Sequence, residues 1–271
     1  MPRVLRTSQG NPNKNNLPAN LVEELIARRK TSFFPDGAYV FQDELDVKGK
    51  LAAKVIICTA WLLELHELQA GTISFVSGST QILPRTKCFG VLYPPFTMSS
   101  LCIEDVTSKL VGVAATEPLP NSFNCVPRVF ETDCCEVPSS VAQVFEIIRR
   151  GRDAQIVEFN PNASALSKNA KRLIDENFLS YPSIARIAQR LRVSHEHLSR
   201  QFKRDFQISP SAYLHQLRLA DAPFRLARGE PIINVSLDIG YNDLSRFYKQ
   251  FRKNTKTSPG ACQTLMKPRR R

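Results

Sequence analysis

Residues 231–251, PIINVSLDIGYNDLSRFYKQF, determine the fold of the C-terminal part of the chain. Their apolar positions follow a helical spacing twice, and the two series are out of phase across a short break. Gly240 in the break permits a left-handed backbone, and Tyr241 is suited to fill the angle between two helices. Asn242 or Asp243 is placed to cap the second helix. The segment is therefore predicted to be two helices joined by a turn rather than one broken helix.

The same pattern occurs 48 to 49 residues earlier in the sequence. There, Ser194 occupies the capping position before the second helix. The corresponding apolar positions are Ile184, Ile187, Ala188, Leu198 and Phe202 in the first copy, and Ile232, Val235, Ser236, Phe247 and Phe251 in the second. A helix, a short break and an outward second helix are the layout of a helix-turn-helix, whose second helix enters a major groove. One αα-hairpin is compatible with packing alone, whereas two copies in register in a basic region favour DNA binding.

Charge divides the chain into two parts. Residues 163–271 contain 21 Lys and Arg against 8 Asp and Glu, a net charge of +13. Residues 1–162 contain 16 basic and 17 acidic residues, a net charge of -1, so the two parts sum to the +12 of the whole chain. Basic side chains bind nucleic acid by releasing its condensed counterions, so the C-terminal part is predicted to bind a polyanion. The alternative is a solubilising surface or attraction to a membrane surface.

These residues resemble the AraC/XylS-type bacterial transcription regulators over about residues 165 to 263. The matching positions are Ala188, Ser194, Leu198, Phe202, Lys203, Ser209, Pro210, Tyr213, Arg218, Ala222, Ile232, Val235, Gly240, Tyr241, Phe247, Phe251 and Pro259. The resemblance implies a C-terminal double helix-turn-helix domain that binds double-stranded promoter DNA. It also implies a role as an activator that contacts RNA polymerase. The chain departs from the family's pattern at Gln207, Pro223, Ser236, Lys256 and Gln263.

Pro223 is the largest departure, because it falls inside the helix predicted from about Pro210 to Leu226 that links the two units. A proline in a helix interior removes a hydrogen bond and costs about 3 kcal/mol. At 1.5 Å per residue, about 17 residues span about 25 Å, which suits recognition helices in successive major grooves about 34 Å apart. We therefore expect both units to bind DNA, with their relative angle altered at Pro223.

The outward faces of the two recognition helices are the predicted DNA-reading surface. Arg200 is the candidate for a bidentate contact with guanine, and Glu196 for a hydrogen bond from cytosine. Leu244 is placed to contact a thymine methyl group, while Lys203 and Arg204 are expected to hold phosphates. For each of them the alternative is a solvated surface residue. The full predicted set is His195, Glu196, Ser199, Arg200, Lys203 and Arg204 in the first unit, and Leu244, Ser245, Tyr248, Lys249 and Arg252 in the second.

The N-terminal part is predicted to be β-rich. Short runs such as GTISFVSGSTQILP are β-branched or aromatic and bounded by Gly, Ser and Pro, and residues 138–151 have helical apolar spacing. The resemblance implies a cupin-like barrel or sheet that binds a small-molecule or protein effector and forms a homodimer. The predicted fold class is α+β, with a flexible arm at 1–20, a β-rich sensor and dimerisation domain at 21–155, an all-α DNA-binding domain at 163–265 and a basic tail at 266–271.

No catalytic residue, metal ligand or cofactor is predicted, because the sequence has no nucleophile elbow, Cys/His constellation or Gly-rich phosphate loop. His66 is the one histidine before residue 163, too few for the metal cluster of a catalytic cupin, and is expected to be structural or at the surface. The seven cysteines lack zinc spacing and are typical of reduced thiols. Two alternatives to a regulator are a DNA-targeted thiol enzyme or redox sensor using Cys134 and Cys135, and a non-specific nucleoid-type DNA binder.

Membrane association is not expected from the sequence. The longest apolar run stops far short of the roughly 18 to 20 residues that a membrane-spanning helix needs. The first 20 residues are polar and lack the apolar core of a secretory signal. The expectation is a cytoplasmic protein.

Overall fold

The structure is a computed structural model of the chain. It describes residues 26–33, 38–56, 59–77, 80–115, 127–133, 135–157, 160–180, 183–255 and 257–265. The predicted arm at 1–20 and the predicted basic tail at 266–271 lie outside these residues, as do Cys134 and Lys256. Within them, a sheet with one helix comes first along the chain and an all-helical part follows, so the predicted α+β fold class is confirmed.

The N-terminal part is one antiparallel sheet. The strands are β1 Ile26–Phe33, β2 Tyr39–Asp46, β3 Lys50–Ile56, β4 Trp61–Ser77, β5 Thr80–Ile82, β6 Cys88–Tyr93, β7 Met98–Ala115, β8 Arg128–Glu131 and β9 Arg152–Ile156. Their order is β1-β2-β7-β4-β6-β8-β9, with β3 paired to β7 and β5 paired to β4. The sequence predicted either a barrel or a sheet. The described strands form a sheet, whose end strands, β1 and β9, do not pair with each other.

The two long strands β4 and β7 hold this sheet together. Their register shifts within residues 68–72, where Gly71 adopts a φ of 81° and its Cα lies so close to the Asp105 backbone that any side chain would collide with it. A bulge of this kind changes which face successive residues occupy. Even-numbered Leu62 before the shift and odd-numbered Phe75 after it therefore belong to the same buried core.

The other face of the sheet is covered by helix α1, Val141–Arg150. The helix predicted at 138–151 starts later than expected, because Ser140 is its N-cap and accepts a hydrogen bond from the backbone N–H of Gln143. Its apolar face packs on the sheet beside Trp61, whose ring centroid is 5.8 Å from that of Phe145. The apolar spacing in the sequence thus identified the helix, while the capping residue decided where it begins.

The C-terminal part is helical. Its helices are α2 Ala165–Asn177, α3 Ile184–Arg190, α4 His195–Phe206, α5 Pro210–Ala227, α6 Ile232–Ile239, α7 Leu244–Thr255 and α8 Pro259–Leu265, with a 3-10 turn at Phe178–Ser180. One core joins α2, α3 and α4 to the first half of α5. A second core joins α6, α7 and α8 to the second half of α5. Helix α5 is therefore shared by two otherwise separate cores.

Helix α5 also contacts the N-terminal sheet. The hydroxyl of Thr59 donates a hydrogen bond of 3.0 Å to Oδ1 of Asp221, and the rings of Tyr39 and Phe224 meet edge to face at 6.4 Å. Phe224 belongs to the core inside the sheet. Burial raises the pKa of Asp221, and the hydrogen bond from Thr59 opposes that rise. Helix α5 thus contacts the N-terminal part as well as the two helical cores.

The first helical core touches the sheet as well. The ammonium group of Lys171 donates a hydrogen bond of 2.7 Å to the carbonyl oxygen of Phe96. The ring of Phe96 meets that of Phe178 at 5.7 Å, and Met98 is buried in the same core. The second core contains only residues of the helical part among those described.

Pro223 lies inside α5 and is buried there. The helix continues through it from Pro210 to Ala227, close to the predicted span. The missing N–H of Pro223 removes one backbone hydrogen bond without ending the helix. No helix of the described residues is both long and apolar enough to cross a membrane.

Candidate nucleic-acid interface

The first unit consists of α3, a tight turn and α4. The turn places Arg192 in the left-handed region with a φ of 57°, and the N–H of Val193 returns to the carbonyl of Ala188 at 3.0 Å. Ser194 then caps α4 by accepting a hydrogen bond of 3.1 Å from the N–H of His197. The predicted capping role of Ser194 is confirmed, and it satisfies one of the free amide groups at the start of the recognition helix.

One face of α4 is buried and the other is open. Leu198, Phe202 and Phe206 are buried, with the rings of Phe202 and Phe206 4.8 Å apart. Of the residues predicted to read DNA, Ser199 is half-buried, and the others are exposed: His195, Glu196, Arg200, Lys203 and Arg204. The structure thus brings all six to the surface of one helix.

The second unit repeats this arrangement in α6 and α7. Gly240 has a φ of 101°, which only a residue without a side chain adopts without strain. Tyr241 is buried in the angle, with its ring 5.7 Å from that of Phe247. Oδ1 of Asp243 accepts a hydrogen bond of 2.8 Å from the N–H of Ser245, so Asp243 rather than Asn242 is the cap.

The outward face of α7 carries the second predicted set. Its exposed members are Leu244, Ser245, Tyr248, Lys249 and Arg252. Leu244 and Tyr248 are each 40% exposed and lie one helical turn apart, so both are accessible on this face of α7. Phe247 and Phe251, on the opposite face, are fully buried.

An open groove beside α7 adds residues that the sequence pattern did not single out. Tyr248, Lys249 and Arg252 line it together with Lys253 and Ser258. Lys253 follows Lys249 by one helical turn, and this i, i+4 spacing could have identified Lys253 from the sequence. The groove is basic and opens on the same side as the predicted reading residues.

Two departures from the family's pattern are accommodated locally. Gln207 ends α4 in the left-handed conformation with a φ of 60°, at a cost on the order of 1 kcal/mol, and its N–H bonds to the carbonyl of Lys203 at 2.7 Å. Ser236 is buried, and its hydroxyl donates a hydrogen bond of 3.2 Å to the carbonyl of Ile233. Neither departure disrupts the turn that it borders.

An ion cluster fastens the second unit to the linker helix. The Arg225 guanidinium contacts Glu230 at 2.7 Å and Asp238 at 2.5 Å, which ties α5 to α6. Burial alone would lower the pKa of Arg225, but the hydrogen bonds and charges of the two carboxylates raise it. Gln263, in α8, donates a hydrogen bond of 2.6 Å to the carbonyl of Glu230. The departure from the family at Gln263 therefore has a structural partner.

The first unit is fastened in a different way, through Asp205 at the end of α4. Its Oδ2 accepts hydrogen bonds from the hydroxyl of Ser164 at 2.6 Å and from the N–H of Ser164 at 3.1 Å, and Gln201 donates to both carboxylate oxygens. Burial would raise the pKa of Asp205, but these hydrogen bonds and one from Ser167 lower it to about 2. The carboxylate therefore joins the recognition helix to the start of α2.

Replacing Asp205 by asparagine is expected to lower the free energy of unfolding at neutral pH by about 2 kcal/mol, because folding lowers the pKa of this carboxyl from 3.8 to about 2. Because the folded-state pKa is depressed, this stabilisation is present above the unfolded value of 3.8 and is lost as the pH falls towards 2. Denaturant unfolding of wild type and variant at several pH values measures it. Glu196→Gln removes an exposed carboxylate from the same helix and serves as the control. Parallel pH curves for Asp205→Asn and wild type would contradict the assignment.

The described residues give little support to the thiol and metal alternatives. The Cys135 thiol donates a weak hydrogen bond to the carbonyl oxygen of His66 at 3.2 Å, and Cys134 lies outside the described residues. His66 is 5% exposed, so the surface position allowed by the sequence is wrong. Within the described residues, no group of three or more His, Cys, Asp or Glu side chains is placed to hold a metal ion.

The helix-turn-helix domain family matches residues 187–264, and the domain is of the AraC type. Residues 187–264 are therefore an AraC-type helix-turn-helix domain. The matched residues run from α3 to α8 and include both recognition helices. The AraC-type domain therefore contains every residue predicted to contact DNA. None of the curated proteins matches the chain in sequence.

Several solved structures are similar to parts of the chain. The C-terminal domain of AraT, a response regulator from Geobacillus stearothermophilus, is 28% identical over 38% of this chain and 87% of that chain, with a TM-score of 0.33. A probable AraC family transcriptional regulator from Rhodopseudomonas palustris CGA009 is 20% identical over 39% of this chain and 100% of that chain, with a TM-score of 0.35. ToxT from Vibrio cholerae O395 is 10% identical over 86% of this chain and 99% of that chain, with a TM-score of 0.45.

Proposed function

We propose that this regulator places α4 and α7 in two successive major grooves of promoter DNA. The observation that carries the proposal is the shared helix α5. Its first half is buried in the core of one helix-turn-helix and its second half in the core of the other. At 1.5 Å per residue its 18 residues extend for about 27 Å, which separates the two units by most of the helical repeat of DNA, about 34 Å.

Within each groove, different side chains take different roles. Arg200 carries two parallel donors that suit the O6 and N7 atoms of guanine, and Glu196 accepts from the amino group of cytosine. Lys203 and Arg204, one turn further along α4, contact phosphates. On α7, Leu244 contacts a thymine methyl group and Lys249 a guanine edge or a phosphate.

The remaining exposed residues of the two recognition helices complete the proposed surface. His195 and Ser199 in the first unit, and Ser245 and Tyr248 in the second, lie beside the base-reading positions. Arg252 lies with Lys249 along the basic groove next to α7. The positive charge of the C-terminal part supports this assignment, because phosphate contacts supply much of the affinity of any DNA-binding protein.

Two substitutions on α4 test the assignment of roles. Arg200→Ala is expected to cost about 1 to 3 kcal/mol and to relax preference at one base position, because a bidentate base contact is lost. Lys203→Ala is expected to weaken binding to all DNA sequences alike. It is also expected to lower the slope of log affinity against log salt concentration by about one. Arg172→Ala removes an exposed charge from α2, away from the proposed surface, and serves as the control. Unchanged affinity and preference in Arg200→Ala would show that α4 is not the reading helix.

Pro223→Ala tests the linker. Alanine restores the missing backbone hydrogen bond, so we expect the angle between the two units, and with it the operator affinity and footprint, to change. Footprinting on a selected operator measures this change. Leu219→Ala, a buried change one turn earlier in α5, separates altered geometry from lost packing. An identical affinity and footprint in Pro223→Ala would contradict the expected change of angle at Pro223.

The N-terminal part, residues 21–155, is proposed to sense a small-molecule or protein effector and to dimerise, and the complex to activate transcription by contacting RNA polymerase. Residues 163–265 then form the DNA-binding domain. The contacts of α5 with Thr59 and Tyr39 support a sensor role, because they connect the sheet to the helix that orients both units. Mapping bound sites in the cell and comparing expression of adjacent genes with and without the protein tests the sign of control. Diffuse occupancy without preferred sites would contradict sequence-specific regulation.

A further inference from the structure

The inner face of the sheet carries polar residues that DNA binding does not explain. In the register of β4 and β6, Leu62 pairs with Tyr93, Glu64 with Val91 and His66 with Phe89. Paired residues of antiparallel strands share a face, so the side chains of Glu64, His66 and Tyr93 all point into the apolar core inside the sheet. Position 99 on β7 has the same parity as the core residues Leu101 and Ile103, which places Ser99 on this face too.

Four polar atoms of this cluster make no hydrogen bond. They are both ring nitrogens of His66, the hydroxyl of Tyr93 and the hydroxyl of Ser99. These three residues are 5%, 0% and 1% exposed, so solvent does not satisfy them. Buried polar groups are nearly always paired in folded proteins, because leaving one unpaired is unfavourable. Four such atoms in one place indicate that a polar partner completes the cluster.

Glu64 determines the charge of that partner. Its side chain is 15% exposed, and its nearest basic group is Nε2 of His66 at 3.5 Å. Among the described residues, no lysine or arginine forms an ion pair with it. The polar groups that face the Tyr93 hydroxyl belong to Glu64 and Ser99, and burial together with the Glu64 charge raises the pKa of Tyr93. A partner with positive charge would compensate the buried carboxylate.

The walls around Glu64 are aromatic. The His66 ring stacks on Phe89 with centroids 4.7 Å apart, and Phe75 meets Phe89 edge to face at 6.2 Å. Tyr93 belongs to the same core. The faces of aromatic rings attract cations, most strongly where water is excluded. A carboxylate among aromatic rings favours an organic cation over an anion or a neutral molecule.

We propose that Glu64, Tyr93 and Ser99 bind the ammonium group of a small primary amine inside the N-terminal sheet. An ammonium group has three N–H donors, and the cluster offers three acceptors, namely one carboxylate and two hydroxyl oxygens. Charge-assisted hydrogen bonds to the carboxylate are the strongest of these. The carbon part of the amine lies against the aromatic and aliphatic side chains of the same core.

The site and the contact between sheet and linker helix lie at opposite ends of one row of side chains. Tyr39, Ala114, Leu62 and Tyr93 occupy one row across β2, β7, β4 and β6. Phe224 of α5 packs on Tyr39 at the end of this row. An amine at Tyr93 would thus lie in the same row of side chains as Tyr39, which contacts the helix that holds both DNA-reading units. The amine's role as an effector rests on the proposed function, whereas its binding does not.

Calorimetric titration of the DNA-free, full-length chain tests the site. The probes are butylamine hydrochloride, 1-butanol and sodium butyrate, which share a carbon skeleton of four atoms and differ in charge. Methylamine hydrochloride measures how much of the affinity comes from that carbon skeleton. Butylamine is expected to bind about tenfold more tightly than 1-butanol, because its hydrogen bonds are charge-assisted, and butyrate is expected not to bind. Equal affinity for butylamine and butanol, or no binding of either amine, would overturn the proposal and leave ordered water as the partner.

Variants identify the residues. Glu64→Gln is expected to abolish the preference for the amine, while Glu67→Gln, on the opposite face of the same strand and 47% exposed, is expected to keep it. Ser99→Ala removes one acceptor and is expected to weaken butylamine binding several-fold, which tests the site even if Glu64→Gln does not fold. A folded Glu64→Gln variant that still prefers butylamine to 1-butanol would contradict the proposed ammonium site. Unchanged butylamine binding in Ser99→Ala would contradict it as well. A chain that binds butylamine but not promoter DNA would overturn the proposed function alone.

Discussion

Replacing Phe247 by alanine is expected to destabilise the second helix-turn-helix by about 3 to 5 kcal/mol and to erase its half of the operator footprint. Phe247 is fully buried, with its ring 5.7 Å from Tyr241 and 5.5 Å from Phe251. These rings fill the angle between α6 and α7, so a cavity there removes the support that holds α7 outward. The first half of the footprint is expected to remain, because the first unit has its own core.

Denaturant unfolding and footprinting of the full-length variant measure the two effects together. Tyr248→Ala is the matched control, since Tyr248 is the next aromatic residue on α7 but is 40% exposed. It is expected to leave stability nearly unchanged while weakening DNA binding. A complete second half-footprint in a destabilised Phe247→Ala would show that α7 is not the element that contacts that half.

Replacing Phe202 by alanine is expected to cost a similar 3 to 5 kcal/mol but to have wider consequences. Phe202 is fully buried against Phe206 and against Tyr213 of α5, with ring centroids 4.8 and 5.9 Å away. Its core also contains Met98 of the sheet. Loss of this core is therefore expected to erase the first half-footprint and also to loosen the contact between Lys171 and the carbonyl of Phe96.

Hydrogen exchange of the full-length chain distinguishes the two variants. In Phe202→Ala, backbone amides of residues 165–180 are expected to exchange faster, because this segment belongs to the first core. In Phe247→Ala they are expected to keep wild-type protection, because the second core contains none of these residues. Lys203→Ala, next to Phe202 but exposed, controls for change at this point of α4. Equal protection of residues 165–180 in all three proteins would contradict the described core that α2 shares with Phe202.

Both helix-turn-helix units were predictable because each is built from local signals. Helical spacing of apolar residues, a glycine where the backbone must turn, and a capping residue before the second helix all act within one short segment. Ser194 and Gly240 take the predicted conformations. Local choices also decided details that the pattern left open, such as Asp243 rather than Asn242 as the cap.

The sheet was harder to predict than the helices, because its core depends on pairings between distant segments. Leu62 and Phe75 share a core only because a register shift at Gly71 reverses the alternation between them. A period-two pattern read along β4 places these two residues on opposite faces. His66 was predicted to be structural or exposed, and it is buried because β6 and β7 pair on both sides of it.

By itself the sequence determined that this chain ends in two helix-turn-helix units with basic outer faces, since charge and helical spacing are properties of neighbouring residues. Only the tertiary structure decided which other elements those units contact. Asp205, Arg225 and Asp221 look alike in sequence as charges on helices, yet one joins α4 to α2, one joins α5 to α6 and one meets the sheet. The cluster around Glu64 likewise exists only where separate strands meet. Partners that are far apart in the chain are set by packing, which no local pattern encodes.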